Sequence, residues 1–351
     1  MSRRALSRTI CGMGSRSPGR TPTLEDVARV AGVSRATVSR VINGIRNVDQ
    51  DIQEVVRLAI EKTGYAPNRA ARSLVTRRTG AIALVVSGAG GGVFGDPFFG
   101  RVVGGVVDFL RRHGMHPLLM LADTDESRAD VLSHLRQGGA DGALLVSTHP
   151  DDRLPAMCAL AKVPAVLFAR PSTALPVSYV DVAHRAGAEL AARHLLARGC
   201  RQLATISGPS DVPASQERLS GFREELARHG VAYVPNVTGN FTLESGEQAM
   251  TSLLSEHPRV DGVFVANDLM AQGGLGVLQA SGRRVPADVA VVGFDDSSAA
   301  LACRPQLTTV RQPVEEMGAK MAELLLAHIE DPTRDPTVMI FDPVLVPRDS
   351  A

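Results

Sequence analysis

The chain contains no tryptophan, only three tyrosines, and four cysteines in 351 residues. Cys11, Cys158, Cys200 and Cys303 are far apart with no C-x-x-C, which argues against a disulfide framework or a zinc site and fits a reducing cytoplasm. No apolar run reaches the roughly 18 residues of a membrane span. The N-terminus lacks a continuous apolar segment of the secretory type, so export is not expected. There is no G-x-S-x-G and no H-E-x-x-H, and the nine histidines show no metal-ligand spacing.

Acid is missing from one place in particular. Residues 1–20 carry five arginines and no Asp or Glu. They lack a helical apolar period, so residues 1–21 read as a disordered basic tail. Such a start also resembles an organelle transit peptide, but nothing later in the chain supports an organelle. The net charge of +1 hides an asymmetry. Residues 1–80 hold 15 Lys/Arg against 6 Asp/Glu, and the rest hold 23 against 31. A basic head on an acidic body suggests that the head alone meets a polyanion, although a merely solvated basic tail would look the same.

What is present falls into two patterns. Residues 22–63 read as three short helices. Thr23, Ser34 and Asp49 are placed to cap them, Gly32 makes a turn, Asn43-Gly44 stops the second and Gly64 ends the third. Their inner faces are Leu24, Val27 and Ala28, then Val38, Val41 and Ile42, then Ile52, Val55, Val56, Ala59 and Ile60. Ala28, Gly32, Val33 and Val38 suit the close crossing of a helix-turn-helix. The second helix then offers Ser34, Arg35, Ala36, Thr37, Ser39, Arg40 and Asn43 to DNA. Arg35, Ala36 and Arg40 would meet base edges, and Thr37 and Ser39 phosphates.

From residue 81 short apolar runs alternate with amphipathic helical stretches. The runs are AIALVV (81–86), HPLLMLA (116–122), GALLVS (142–147), PAVLFA (164–169), VSYVDV (177–182), QLATISG (202–208), GVFVAN (262–267) and VAVVGFD (289–295). That alternation implies parallel sheets with helices on both faces. Eight units are too many for one ordinary sheet, so two α/β lobes with a cleft between them are expected.

One enzyme reading needs an answer. Gly90-x-Gly92-x-x-Gly95 follows a strand, as in a dinucleotide-binding fingerprint. A pyrophosphate sits on free N–H groups at a helix start. Here the helix opens at Asp96-Pro97, where proline has no N–H and the carboxylate would itself take those donors. The fingerprint glycines should also open the helix, and the next acid at a strand end, Asp123, is too distant. An NAD(P)-dependent oxidoreductase is thus the lesser alternative, and no cofactor is expected.

The run D-V-A-x-x-A-G-V-S-x-x-T-V-S-R-V-x-N at 26–43 resembles the head of the lactose-repressor/galactose-repressor family of bacterial transcription regulators. The resemblance continues through ERLSGF (217–222), VFVANDLMAQG (263–273), VAVVGFDD (289–296) and LTTVRQP (307–313), covering residues 22–350. It implies a helix-turn-helix head (22–66), a hinge helix and linker (67–79), and a body of two doubly wound parallel-sheet lobes of the periplasmic-binding-protein type. The lobes would comprise 80–179 plus 309–338 and 180–308 plus 339–351.

By that resemblance the hinge residues Asn68, Arg69, Ala71, Arg72 and Leu74 lie in the minor groove, with Leu74 wedged into a base step. A hinge of about seven residues cannot hold a helix alone in water, so DNA would order it. The resemblance further implies a homodimer on a near-palindromic double-stranded operator. A small effector, a sugar by preference, would bind through Phe98, Phe99, Arg170, Arg218, Phe241, Asn267 and Asp295. Each has a plainer reading: Phe98 or Phe99 as core, Arg218 paired with Glu217 or Glu224, and Asn267 or, preferably, Asp268 as a helix cap. The chain departs from relatives at Ala169-Arg170, where Asp-Arg is frequent, and at Ala183-His184, where Asp-Asn is frequent. An effector-independent regulator and a solute-binding protein are the remaining alternatives; the latter would need export and no basic head.

Overall fold

The computed structural model describes residues 22–42, 48–66, 78–87, 95–147 and 151–351, in two units that divide after Thr76. Asn43, the hinge residues 68–74 and the glycines at 90 and 92 lie outside the described residues.

Among its described residues the head is three helices, α1 (Leu24–Ala31), α2 (Arg35–Ile42) and α3 (Gln50–Thr63). Local chemistry sets their ends. Thr23 N–H donates to Asp26 Oδ2 (2.9 Å), Thr37 N–H to Ser34 Oγ (3.1 Å) and Asp51 N–H to Asp49 Oδ1 (2.9 Å). Gly32 and Gly64 close α1 and α3 at φ +66°, a left-handed conformation that favours glycine. Val27, Ala31, Val38, Val56, Ala59 and Tyr65 form the core. Val55, expected on the inner face, is instead 45% exposed. The head core covers only one side of α3, and the i+3 position falls beyond that stripe.

The body alternates strand and helix: β1 (Ala81–Ser87), α4 (Pro97–Arg112), β2 (His116–Leu121), α5 (Asp125–Arg136), β3 (Ala143–Ser147), α6 (Leu154–Leu160), β4 (Ala165–Phe168), β5 (Ser178–Val182), α7 (His184–Ala197), β6 (Leu203–Ser207), α8 (Pro213–Arg228), β7 (Asn236–Thr238), α9 (Leu243–Glu256), β8 (Gly262–Val265), α10 (Asp268–Ala280), β9 (Ala290–Asp295), α11 (Ser298–Ala302), β10 (Thr308–Arg311), α12 (Val314–Glu330), β11 (Val338–Phe341) and β12 (Val344–Val346). Among the described residues two six-stranded sheets result, ordered β11-β5-β4-β3-β1-β2 and β12-β10-β9-β8-β6-β7. Every pairing is parallel except β10 with β12. Strands buried on both faces, such as β4 and β9, read as unbroken apolar runs for that reason.

The chain crosses between lobes at Ala183, at Gln312-Pro313 and at Asp342-Pro343. The boundaries expected at 179/180, 308/309 and 338/339 fall inside β5, β10 and β11. A strand hydrogen-bonded in one sheet cannot be divided between two, so each crossing comes a few residues later.

Candidate functional site: a head surface and a buried charge cluster at the lobe junction

On the head, Val38 is fully buried while Ser34, Arg35, Ala36 and Arg40 are exposed and Thr37 and Ser39 half-buried. One face of α2 is thus core and the other presents the residues expected to read DNA. Arg35 Nη1 lies 3.1 Å from Glu25 Oε1, both well exposed. Such a surface pair is worth under about 1 kcal/mol and gives way readily to a phosphate or a guanine edge.

In the body, polar side chains gather where the strand ends of both lobes meet the crossings. Arg218, on α8, is 5% exposed. Its guanidinium stands 3.8 Å above the Phe294 ring, donates to the Ala266 carbonyl and to His184 Nδ1 (3.2 Å), and lies 3.6 Å from Asp295 Oδ1. Because Arg218 donates to Nδ1, the His184 proton sits on Nε2, which faces Asp181 Oδ1 at 3.3 Å. Burial, and then the Arg218 charge, hold the His184 pKa below its ordinary value, so the ring is neutral. Burial alone would push Asp181 up, but bonds from His184 and from the Val182 and Arg170 N–H groups outweigh it.

Two further carboxyls are buried beside this chain. Asp295 accepts from Gln312 Nε2, and Asp268 accepts from Ser297 N–H (2.7 Å) and Thr309 Oγ1 (2.6 Å). Burial drives both pKa values upward, Arg218 opposing it at Asp295 and Asp295 adding to it at Asp268. The first lobe reaches in through α4. Arg101 Nη1 donates to the Asp295 carbonyl (2.7 Å), and its Nε and Nη2 grip Glu315 at 2.7 and 2.8 Å. Asp96 caps α4 by accepting from Phe98 N–H (2.9 Å), and burial raises its pKa against the pull of Arg218. Asp96 and Pro97 therefore occupy the helix start that a pyrophosphate would need.

The backbone here is strained. Ala169, Phe241, Asp295 and Asp296 all have positive φ, at 89°, 68°, 108° and 51°, and all sit beyond or at strand ends. Non-glycine residues held in that region cost about 1–3 kcal/mol each and cluster at ligand sites.

Of the residues expected to bind an effector, the structure brings together Arg218 and Asp295, with Asn267 and Phe241 close by. Asn267 Oδ1 accepts from Met270 N–H (3.0 Å) and its Nδ2 donates to the Phe241 carbonyl (3.0 Å). Asn267 is therefore the cap of α10, the part expected of Asp268, which bonds Ser297 and Thr309 instead. Arg218 pairs with neither Glu217 nor Glu224, both of which bind Arg185. Phe98 and Phe99 are half-buried on the first lobe's core, Phe98 edge-on to Phe168 at 5.5 Å. Arg170 is exposed.

The residues that went unnoticed are Asp181, His184, Arg101, Gln312 and Asp268 in this role. A cavity of about 400 Å³ lies elsewhere, against the second half of α10 at Leu275 and Gln279; the cluster meets α10 at its start.

A helix-turn-helix head joined to a two-lobed body with charged groups buried at the lobe junction defines a DNA-reading regulator with a ligand sensor. Residues 23–68 match the bacterial regulatory proteins of the lacI family, and residues 192–351 match the periplasmic binding protein-like domain. The chain is 46% identical over 336 residues to the HTH-type transcriptional regulator CelR of Thermobifida fusca, covering 94% of this chain and 98% of that one. It is 35% identical over 335 residues to the ribose operon repressor of Escherichia coli K12, covering 94% and 99%.

Among solved structures it is similar to a CelR–cellobiose complex (TM-score 0.74, 43% identity, 94% and 100% covered). It is also similar to a lac repressor dimer bound to operator and the anti-inducer ONPF (TM-score 0.82, 27% identity, 94% and 99% covered). The chain belongs to the LacI family of bacterial transcription regulators.

Proposed function

We propose that the chain is a cytoplasmic transcriptional repressor that binds a near-palindromic operator as a homodimer and responds to a β-glucosidic disaccharide of the cellobiose type. The observation that carries the effector reading is the buried Arg218–Asp295 pair, with Arg101 of the other lobe on the Asp295 carbonyl. Arg and Asp bind vicinal hydroxyls with paired hydrogen bonds, and closing the lobes over them strengthens those bonds. The higher identity to CelR, 46% against 35% to the ribose operon repressor, supports cellobiose rather than ribose.

A second copy covers the edge of the first sheet. β2 ends that sheet and exposes Leu118, Leu119 and Leu121 by 38–49%, an open apolar edge that soluble proteins avoid leaving bare.

The signal path runs along α12. This helix of 17 residues, about 25 Å long, starts beside Gln312 and Glu315 at the cluster and ends where the Ile329 carbonyl accepts from Arg78 Nη2 (3.0 Å). Arg78 lies where the chain enters the body. Reciprocal glycines lock α4 to α12. A Cβ at Gly105 would strike the Glu315 carbonyl, and one at Gly318 would lie 2.8 Å from the Val102 oxygen. A ligand that shifts α4 therefore shifts α12 with it.

The test is calorimetric titration with cellobiose and with ribose, on wild type and Arg218→Lys. Cellobiose is expected to bind wild type and to lose at least about tenfold in Arg218→Lys, since an ammonium cannot replace the fork. Ribose binding with no cellobiose binding refutes the effector class.

A further inference from the structure

Ser215 stands in the first turn of α8, one helical turn before Arg218, so the two side chains share a face. It is 2% exposed, and its hydroxyl has no hydrogen-bond partner among the described residues. A buried hydroxyl left unpaired costs free energy, and folded proteins rarely keep one without use for it. Its surroundings are unusual. Val212, the residue before α8, has no side chain able to cap the helix, and Pro213 has no N–H. The next first-turn N–H groups have no acceptor within the helix.

Gly208, just after β6, faces the same spot. A Cβ there would lie 2.5 Å from Ser215 Oγ and would collide with the Phe241 ring. The ring thus covers bare backbone and the orphan hydroxyl together. Phe241 itself is held at φ +68°, and its carbonyl is tied to Asn267.

We propose that Ser215 Oγ is an effector-binding group in a subsite that Phe241 covers in the free protein. A hydroxyl of a pyranose unit takes the place of the ring over Gly208. It bonds Ser215 Oγ and a first-turn N–H of α8, and the displaced ring packs on the apolar face of the sugar. The uncapped helix start favours an oxygen acceptor, the small residue at 208 leaves room for it, and the strained loop at 241 supplies the movement. The subsite lies next to Arg218, so one sugar can engage both. This inference rests on the reading of the lobe junction as a glycoside site.

The experiment compares wild type with Ser215→Ala and Ser215→Thr, by melting without ligand and by calorimetry with cellobiose. Free Ser215→Ala is expected to melt at or above wild type, because an unpaired polar atom is removed, while its cellobiose affinity falls about 3- to 10-fold. Ser215→Thr keeps the hydroxyl and is expected to regain part of that affinity. Unchanged affinity in Ser215→Ala overturns the assignment. So does a lower melting temperature without ligand, which would mean that the hydroxyl already serves the fold. The melting arm uses no sugar, so it judges Ser215 even if wild type ignores cellobiose, a result that would refute the effector class separately.

Discussion

Two adjacent glycines in α4 carry opposite expectations. Gly104 is exposed, and a Cβ there meets nothing within 4 Å. Alanine at that position removes the entropic cost of glycine in a helix and should stabilise by about 0.5–1 kcal/mol. Gly105 is buried against α12. A Cβ there collides with the Glu315 carbonyl oxygen and lies 2.8 and 2.9 Å from the Glu315 carbonyl carbon and Cα. The obstacle is helix backbone, which cannot rotate aside, so the two helices must part. Overpacking of this kind costs about 1–3 kcal/mol. For a body of this size each kcal/mol moves the melting temperature by roughly 2–4 °C. Gly105→Ala should therefore melt about 2–12 °C below wild type, and Gly104→Ala slightly above it. Because α4 carries Phe98, Phe99 and Arg101, Gly105→Ala should also weaken cellobiose binding. Thermal unfolding of the three proteins, each with and without cellobiose, checks both. Equal melting of the two variants would refute the α4–α12 contact and the signal path built on it.

Operator affinity should fall about 10³–10⁵-fold between 50 and 200 mM salt if 6–10 phosphates are contacted, and a shallow slope measured by fluorescence anisotropy would count against the head assignment. Arg40→Ala should relax base preference at one position of each half-site by about 1–3 kcal/mol, read by competition among operator variants.

Asp268 has a raised pKa in the folded protein, so it binds its proton more tightly there than when unfolded. Its own contribution to stability is then fully present at low pH and is lost as pH rises from the ordinary carboxylate range towards the raised value. Asp268→Asn can keep both bonds, accepting from Ser297 N–H and donating to Thr309 Oγ1. Its melting temperature should exceed that of wild type more at pH 8 than at pH 5; the reverse order would refute the buried-charge account. Arg78→Ala should leave cellobiose affinity unchanged while cutting the effector's influence on operator affinity several-fold, within the 5- to 150-fold span typical of such coupling. Undiminished coupling would remove α12 from the path.

The eight apolar runs of the body each became a strand: seven are buried strands, whose burial shows in composition, and the eighth, β2, is an exposed sheet edge that keeps apolar residues. β7, β11 and β12 escaped notice because they are short, half-exposed and at or near sheet edges, where one face carries no constraint. β10 was hidden by its threonines, which are buried through hydrogen bonds rather than through apolar contact. Arg218 and Asp295 were legible only through the family resemblance. Their partners were not, because His184, Asp181, Gln312 and Arg101 come from separate segments that only the three lobe crossings bring together. The mistaken choice of cap between Asn267 and Asp268 has a local cause. Adjacent acid and amide look alike in sequence, and the backbone at the end of β8 decides which one faces the helix. His184 shows how a departure from the family pattern can be absorbed. Its neutral ring accepts from Arg218 and donates to Asp181, filling the gap between a buried cation and a buried anion.

The central claim is that ligand held at the lobe junction changes how the head grips DNA. A palindromic site selected from random duplexes by the protein itself supplies the probe, and fluorescence anisotropy gives operator affinity with and without saturating cellobiose. The account predicts a change of at least about fivefold, abolished in Arg218→Lys at the same sugar concentration. An operator affinity that stays the same while calorimetry shows the sugar bound would contradict it.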